Sequence, residues 1–188
     1  MDKKPTSSSR FFLEWLALNP IGFTLGSLSG ATSMGFVPMV IPGLLGLILG
    51  DLIFGGMIGF TQYFVFRRTG FLPVSGWWVI AKAIGFTMGA RSGSLLTFRI
   101  TEDWSLAGVV FGVIMGMSIG LATAVVLFKQ FSPPRLLLWI GICVLAWVAG
   151  ESIAFASYFR LITVPLVALA IAGVTGLGFK YLHHPPAN

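Results

Sequence analysis

The sequence predicts an all-α integral membrane protein: six transmembrane helices in a pseudo-threefold bundle of three parallel two-helix repeats. Three observations support this fold class. Hydrophobic residues make up 56% of the chain and charged residues only 10%, against about 25% charged residues in soluble domains. The apolar residues fall in runs long enough to cross a bilayer, and parts of the sequence repeat. The composition excludes a soluble globular domain, a disordered chain and a disulfide-rich secreted module.

The apolar runs define the predicted spans in order. A transmembrane helix needs about 20 mostly apolar residues, and the runs are bounded by prolines, charges and polar clusters. The predicted spans are residues 13–35, 43–66, 77–98, 105–128, 136–157 and 161–181. Because the connections are short, we expect one transmembrane domain over residues 13–181. Residues 1–12 and 182–188 are the predicted tails, both on the same side of the membrane.

Basic residues are divided unequally between the two predicted sides. Arg99 and Arg160 lie on one side, while the other side has eight: Lys3, Lys4, Arg10, Arg67, Arg68, Lys129, Arg135 and Lys180. The positive-inside rule therefore places both termini in the cytoplasm. Basic residues placed in this way next to membrane lipid also account for the net charge of +6. The charge therefore predicts no nucleic-acid partner.

Tryptophans mark the ends of several predicted spans. Trp15, Trp77, Trp78 and Trp139 lie near the cytoplasmic ends of the odd-numbered spans, and Trp104 lies near the outer end of the fourth. Tryptophan is enriched where a membrane meets water, because its ring is apolar and its N–H is polar. We therefore expect these five rings at the membrane interfaces.

An internal repeat relates the spans to one another. Residues 15–26 (WLALNPIGFTLG) and 78–89 (WVIAKAIGFTMG) are identical at six of 12 positions, at an offset of 63. A weaker match at an offset of 61 pairs Gly55 with Gly116 and Trp78 with Trp139. Repeats of two spans keep the same orientation, which differs from the inverted repeats of many transporters. The predicted units are residues 13–66, 77–128 and 136–181.

The 24 glycines are concentrated at four-residue spacing within the predicted helices. In a bilayer, small residues at this spacing let two helix backbones approach closely, so that van der Waals packing holds the helices together. We expect most of these faces to pack within the chain, and the others to contact a partner subunit or a flat ligand such as a pigment or lipid. The predicted helix-packing residues are Gly22, Gly26, Gly30, Gly55, Gly59, Gly85, Gly89, Gly93, Gly108, Gly112, Gly116 and Gly120.

Ionisable residues inside a membrane are costly and are candidates for function. Asp51, Arg91 and Glu151 are predicted at a similar depth, about 18–24 Å from the cytoplasmic side. Arg91 is therefore expected to pair with Asp51, Glu151 or both, either as a structural ion pair or as a ligand site that opens outward. Gln62 either adds to this site or cross-links helices. Lys82 is expected to extend back to the cytoplasmic interface.

The sequence contains no recognisable catalytic constellation. Its two histidines, His183 and His184, lie in the C-terminal tail, and Cys143 has no histidine near it in the sequence. Nucleophilic catalysis needs a base beside the nucleophile, and no metal-binding or nucleotide-binding motif is present. We therefore predict no catalytic residue and no metal ligand, and the sequence identifies no cofactor.

Two segments resemble a loose set of small uncharacterised bacterial multi-span proteins, which are frequent in photosynthetic bacteria. The segments are residues 55–68 (GGMIGFTQYFVFRR) and 77–89 (WWVIAKAIGFTMG). They combine G-x-x-x-G-x-x-Q, a basic pair and a helix that starts with Trp. The resemblance implies a bacterial inner membrane, plasma or thylakoid, and no particular activity. Size and span number are also similar to the substrate-binding component of energy-coupling-factor transporters.

Two functions remain open at this point. The first is a non-enzymatic accessory, structural or assembly subunit of a larger membrane complex, whose glycine-rich faces pack against a partner protein or a second copy. The alternative is a membrane protein that binds or transports a small molecule. Its site would lie on the threefold axis, lined by Asp51, Gln62, Arg91 and Glu151.

Overall fold

The computed structural model describes residues 8–30 and 35–183, which form seven α-helices and one 3-10 turn. No strand occurs among these residues, so the predicted all-α class is confirmed. The helices are α1 (Ser8–Ser29), α2 (Phe36–Val40), α3 (Leu44–Thr69), α4 (Trp77–Ile100), α5 (Trp104–Leu127), α6 (Pro133–Ala156) and α7 (Val164–His183), and the 3-10 turn is Leu161–Thr163.

Five of the six long helices are long and apolar enough to cross a membrane: α1, α3, α5, α6 and α7. Helix α4 has 24 residues, the same length as α5. It carries Lys82, Arg91 and Arg99, and these three basic residues lower its hydropathy. The chain therefore has the helices of an integral membrane protein, and the sixth span remains a prediction.

The first helix differs from its predicted bounds of 13–35, because it begins at Ser8 and ends at Ser29. The helix begins before residue 13 because its first turns are packed against the rest of the bundle. Phe11 is fully buried, and its ring stacks on that of Phe71 with a centroid distance of 3.9 Å. Arg10 and Glu14 also form an ion pair of 2.9 Å one helical turn apart. Residues 31–34 of the predicted span lie outside the described residues, as do residues 1–7 and 184–188 of the predicted tails.

The six long helices form a closed ring in chain order. Each packs against the next long helix along the chain, and α7 packs against α1, which closes the ring. Phe11 of α1 lies against Phe179 of α7, so the two helices start and finish at the same end of the bundle. We call this the terminal end. The opposite end of the bundle contains a cavity, and we call it the cavity end.

The predicted helix-packing glycines lie at the contacts between neighbours in the ring. Those of α1 face α3, those of α3 face α4, those of α4 face α5, and those of α5 face α6. A Cβ added at Gly112 would lie only 2.6 Å from the Cα of Val148. These glycine faces are therefore occupied by packing within the chain.

The interior of the ring at the terminal end is aromatic. Trp15, Trp78 and Trp139 are at most 1% exposed, and all three surround Phe179 at centroid distances of 4.2–6.0 Å. These three rings therefore face the interior of the ring and not lipid, because they occupy the inner faces of their helices, and their depth at the membrane interface stays a prediction. By contrast, the neighbouring Trp77 is 66% exposed.

One helical turn further along each helix, the interior becomes polar. Lys82 belongs to this polar layer, is 4% exposed, and holds its Nζ 5.3 Å from the centroid of the Trp78 ring. The expectation that Lys82 extends to the cytoplasmic interface is therefore wrong, because the residue faces inward. The polar layer consists of Asn19, Gln62, Lys82, Thr123, Cys143 and Thr175, all buried.

Candidate ligand-binding site

A cavity of about 420 Å³ lies inside the ring at the cavity end. Residues from all six long helices line it, including Ser27 near the end of α1 and Val164 at the start of α7. Most of its wall is apolar or aromatic. The cavity is therefore central to the bundle, and its mouth lies at the end opposite the start of α1 and the end of α7.

Four aromatic side chains, Phe23, Phe54, Phe86 and Trp147, form the floor of this cavity and are called the aromatic floor below. Their rings contact one another at centroid distances of 4.5–5.8 Å. All four are at most 5% exposed. The aromatic floor therefore separates the cavity from the polar layer.

Glu151 places a carboxyl group in this apolar cavity. It lies one helical turn beyond Trp147 on α6, lines the cavity and is 7% exposed. Among the described residues, no hydrogen-bond donor or basic side chain pairs with it. A buried carboxylate without a partner is costly, and such groups inside membranes mark functional sites. Glu151 is therefore the leading candidate for a ligand contact.

The turn after α6 supplies the rim of the cavity. Tyr158 and Phe159 both have positive φ, 53° and 54°, a left-handed conformation that costs a non-glycine residue about 1–2 kcal/mol. Trp104 supports the turn, because its Nε1 donates to the carbonyl oxygen of Phe155 at 2.7 Å and its ring stacks on Tyr158. Phe159 and the exposed Arg160 then line the cavity.

The predicted cluster of Asp51, Arg91 and Glu151 is only partly assembled. The Nε atom of Arg91 lies 2.6 Å from Oδ2 of Asp51, so these two residues form an ion pair. The side chain of Asp51 is fully buried and that of Arg91 is 23% exposed. Asp51 lies one turn before Gly55, on the face of α3 that packs on α4. The pair therefore bridges two neighbouring helices, and Glu151 faces the cavity without it.

Gln62 also lies apart from the cavity. Its Nε2 donates to Oδ1 of Asn19 at 2.7 Å, and its Oε1 accepts from Nε1 of Trp78 at 3.2 Å. Asn19 in turn donates to the carbonyl oxygen of Trp15 at 2.7 Å. Gln62 thus cross-links α1, α3 and α4. Of the four predicted ligand-site residues, only Glu151 lines the cavity.

Similar hydrogen bonds involve the other two buried tryptophans. Nε1 of Trp139 donates to Oγ1 of Thr123 at 2.9 Å, and Nε1 of Trp15 donates to Oγ1 of Thr175 at 3.2 Å. Thr123 and Thr175 were not among the residues that the sequence patterns indicated. Sequence spacing could have indicated Thr123, because Gln62 and Thr123 each precede the tryptophan that they bind by 16 residues.

Comparison with known proteins gives no family for this chain. No protein-family model, curated protein sequence or solved structure matches it.

Proposed function

We propose that this protein is a non-enzymatic, six-span integral membrane protein that binds a small molecule in the central cavity at the cavity end of its ring. The observation that carries this proposal is a cavity of about 420 Å³ enclosed by all six long helices. Small-molecule sites typically have volumes of about 300–1,000 Å³, mostly apolar walls and a few polar groups. The aromatic floor and Glu151 fit that description.

The threefold arrangement of the bundle is part of this proposal. Trp15, Trp78 and Trp139 are related by the sequence offsets of 63 and 61, and each is buried beside Phe179. Each also donates a hydrogen bond to the preceding long helix in the ring. The place of α4 in the ring, between α3 and α5, supports its being the sixth span.

The orientation of the protein in the membrane decides to which side of the membrane the cavity opens. The terminal end carries Arg67, Arg68 and Lys129 near helix ends, whereas Arg99 and Arg160 lie at the cavity end. Under the positive-inside rule this distribution supports cytoplasmic termini in a bacterial inner membrane, plasma or thylakoid. The cavity would then open to the outer side, which suits capture of a molecule from outside the cytoplasm.

The turn at the rim also supports a ligand-binding function. Strained backbone conformations persist only where the surrounding structure enforces them, and they cluster at ligand sites. Tyr158 and Phe159 are two consecutive residues in such a conformation, and Phe159 lines the cavity. We infer that the turn is held in this form to shape the cavity mouth.

Ligand retention tests the proposed function. The full chain is purified in a mild detergent, and native mass spectrometry identifies bound small molecules. Ala90 is 5% exposed and lines the cavity, so Ala90→Trp would fill it. Met88 lies on the outward face of the same helix and is 60% exposed, so Met88→Trp is the matched control. We expect a bound molecule in the wild type and in Met88→Trp, and none in Ala90→Trp. Absence from all three, or retention by Ala90→Trp, would refute the proposal.

An accessory subunit remains the second candidate, supported by one observation. A groove of about 680 Å³ lies between α4 and α5 near the terminal end, with Ile80, Ile84 and Val125 among its apolar lining residues. A partner transmembrane helix would fit its apolar surface. Stoichiometric co-purification of a membrane protein that is lost on substitution of Ala81, which also lines the groove, by Trp would favour this role.

A further inference from the structure

The chemistry of the cavity indicates which class of molecule it binds. We propose that the ligand is an organic cation, whose ammonium group pairs with Glu151 while its apolar body packs on the aromatic floor. This inference rests on the proposed function, because it assigns a ligand class to the same cavity.

The charge inside the cavity favours a cationic ligand. Glu151 is 7% exposed and has no hydrogen-bonding or ionic partner among the described residues. Its nearest neighbours along the inner face of α6 are Trp147 and Ala154, which are apolar and also line the cavity. A carboxylate in such surroundings is stabilised when a cation occupies the space beside it. The ligand can supply the positive charge that the protein does not place there.

Arg160 is the other charged residue that lines the cavity, and its effect is weaker. It is exposed at the rim, so water and salt screen its charge. Charges buried at low dielectric interact more strongly than exposed charges at the same separation. The buried Glu151 therefore sets the preference of the cavity, and Arg160 lies where a polar group at the outer end of a ligand would reach.

The aromatic floor also favours an organic cation. A cation within about 6 Å of the face of an aromatic ring is attracted by the ring electrons, most strongly by those of Trp. Trp147 lies one turn from Glu151 on the same helix face, with Phe23 and Phe86 within 5.8 Å of its centroid. This floor has apolar area for the body of a ligand. An inorganic ion would leave most of the 420 Å³ unfilled, which is why the cation is expected to be organic.

Three probes that share one body and differ in charge test this inference. They are phenethylammonium, the neutral 2-phenylethanol and the anionic 3-phenylpropionate. The full chain is placed in lipid nanodiscs, and binding is measured by equilibrium dialysis, with empty nanodiscs correcting for probe dissolved in lipid. The variants are Glu151→Gln, which keeps the shape of the side chain, and Glu102→Gln, which removes an exposed carboxylate outside the cavity lining.

We expect the wild type and Glu102→Gln to prefer phenethylammonium over 2-phenylethanol by about tenfold or more, as a charge-assisted hydrogen bond allows. Glu151→Gln should bring the two affinities within about twofold of each other by removing the charge. If the wild type binds 2-phenylethanol or 3-phenylpropionate as well as the cation, or Glu151→Gln keeps the preference, the cation assignment is wrong while ligand binding stands. Failure of all three probes to bind the wild type would count against both proposals.

Discussion

Replacing Gly112 with alanine should force α5 and α6 apart. The added Cβ would lie 2.6 Å from the Cα of Val148 and 2.8 Å from the carbonyl oxygen of Trp147. Both are backbone atoms, so rotation of a side chain cannot relieve the contact. Because an ordinary contact begins at 3.4 Å, the helices must separate locally by about 0.8 Å. Overpacking of this kind costs about 1–3 kcal/mol of the free energy of unfolding.

Gly141 provides the matched control on the partner helix α6, because a Cβ added there meets nothing within 4 Å. Both variants gain a similar benefit, up to about 1 kcal/mol, from the higher helix propensity of alanine. The comparison between them therefore isolates the packing cost. In mild detergent we expect Gly112→Ala to melt below Gly141→Ala by about 2–12 °C, the shift that 1–3 kcal/mol produces in a protein of this size. Equal melting temperatures would refute the argument that the α5 glycines allow this close approach.

Three further predictions concern the polar contacts and the orientation. Arg91→Ala should lower the free energy of unfolding by about 3–5 kcal/mol, because it leaves the buried Asp51 without a counter-charge; adding Asp51→Asn should recover part of this loss in detergent melting. Trp139→Phe and Thr123→Val should each lower the free energy of unfolding by about 1 kcal/mol, because each removes the same buried hydrogen bond. The double variant should therefore be less destabilised than the sum of the two single variants. Additive losses would exclude this bond as a stabilising contact. A green fluorescent reporter fused to the C-terminus should fluoresce, because it remains in the cytoplasm. A dark reporter with normal expression would show that the C-terminus lies on the opposite side of the membrane from the one predicted.

The sequence predicted the fold class because hydropathy and helical periodicity are local properties. The long apolar runs placed α3, α5 and α6 within a few residues of their observed bounds. The first helix was shifted, because its start depends on the packing of Phe11 on Phe71, which no local pattern shows. Cross-linking of helices was one of the two roles predicted for Gln62 and is confirmed. The polar layer as a whole was missed, because a single sequence does not show which face of each helix turns inward.

The candidate site was only partly predictable for the same reason. The depth in the membrane, estimated from each residue's position along its predicted helix, placed Asp51, Arg91 and Glu151 at one level. The ion pair between Asp51 and Arg91 was one of the pairings expected from this estimate. Depth says nothing about direction around the helix, so it could not separate that pair from Glu151, which faces the cavity. The buried tryptophans show the converse: their repeated spacing was visible, but their inward direction followed only from their contacts with Phe179.

A test of cysteine accessibility addresses the central claim, a cavity open to the outer side, most directly. Ala154 lines the cavity, and the native Cys143 is fully buried, so Ala154→Cys introduces one reachable thiol. Leu145→Cys is the control, because this position of α6 is 65% exposed on the outside of the ring, where lipid would cover it. We predict that a membrane-impermeant, cationic thiol reagent labels Ala154→Cys when added outside cells, and leaves it unlabelled in inside-out vesicles. Labelling only from the cytoplasmic side, or none from either side, would contradict an outward-facing binding cavity.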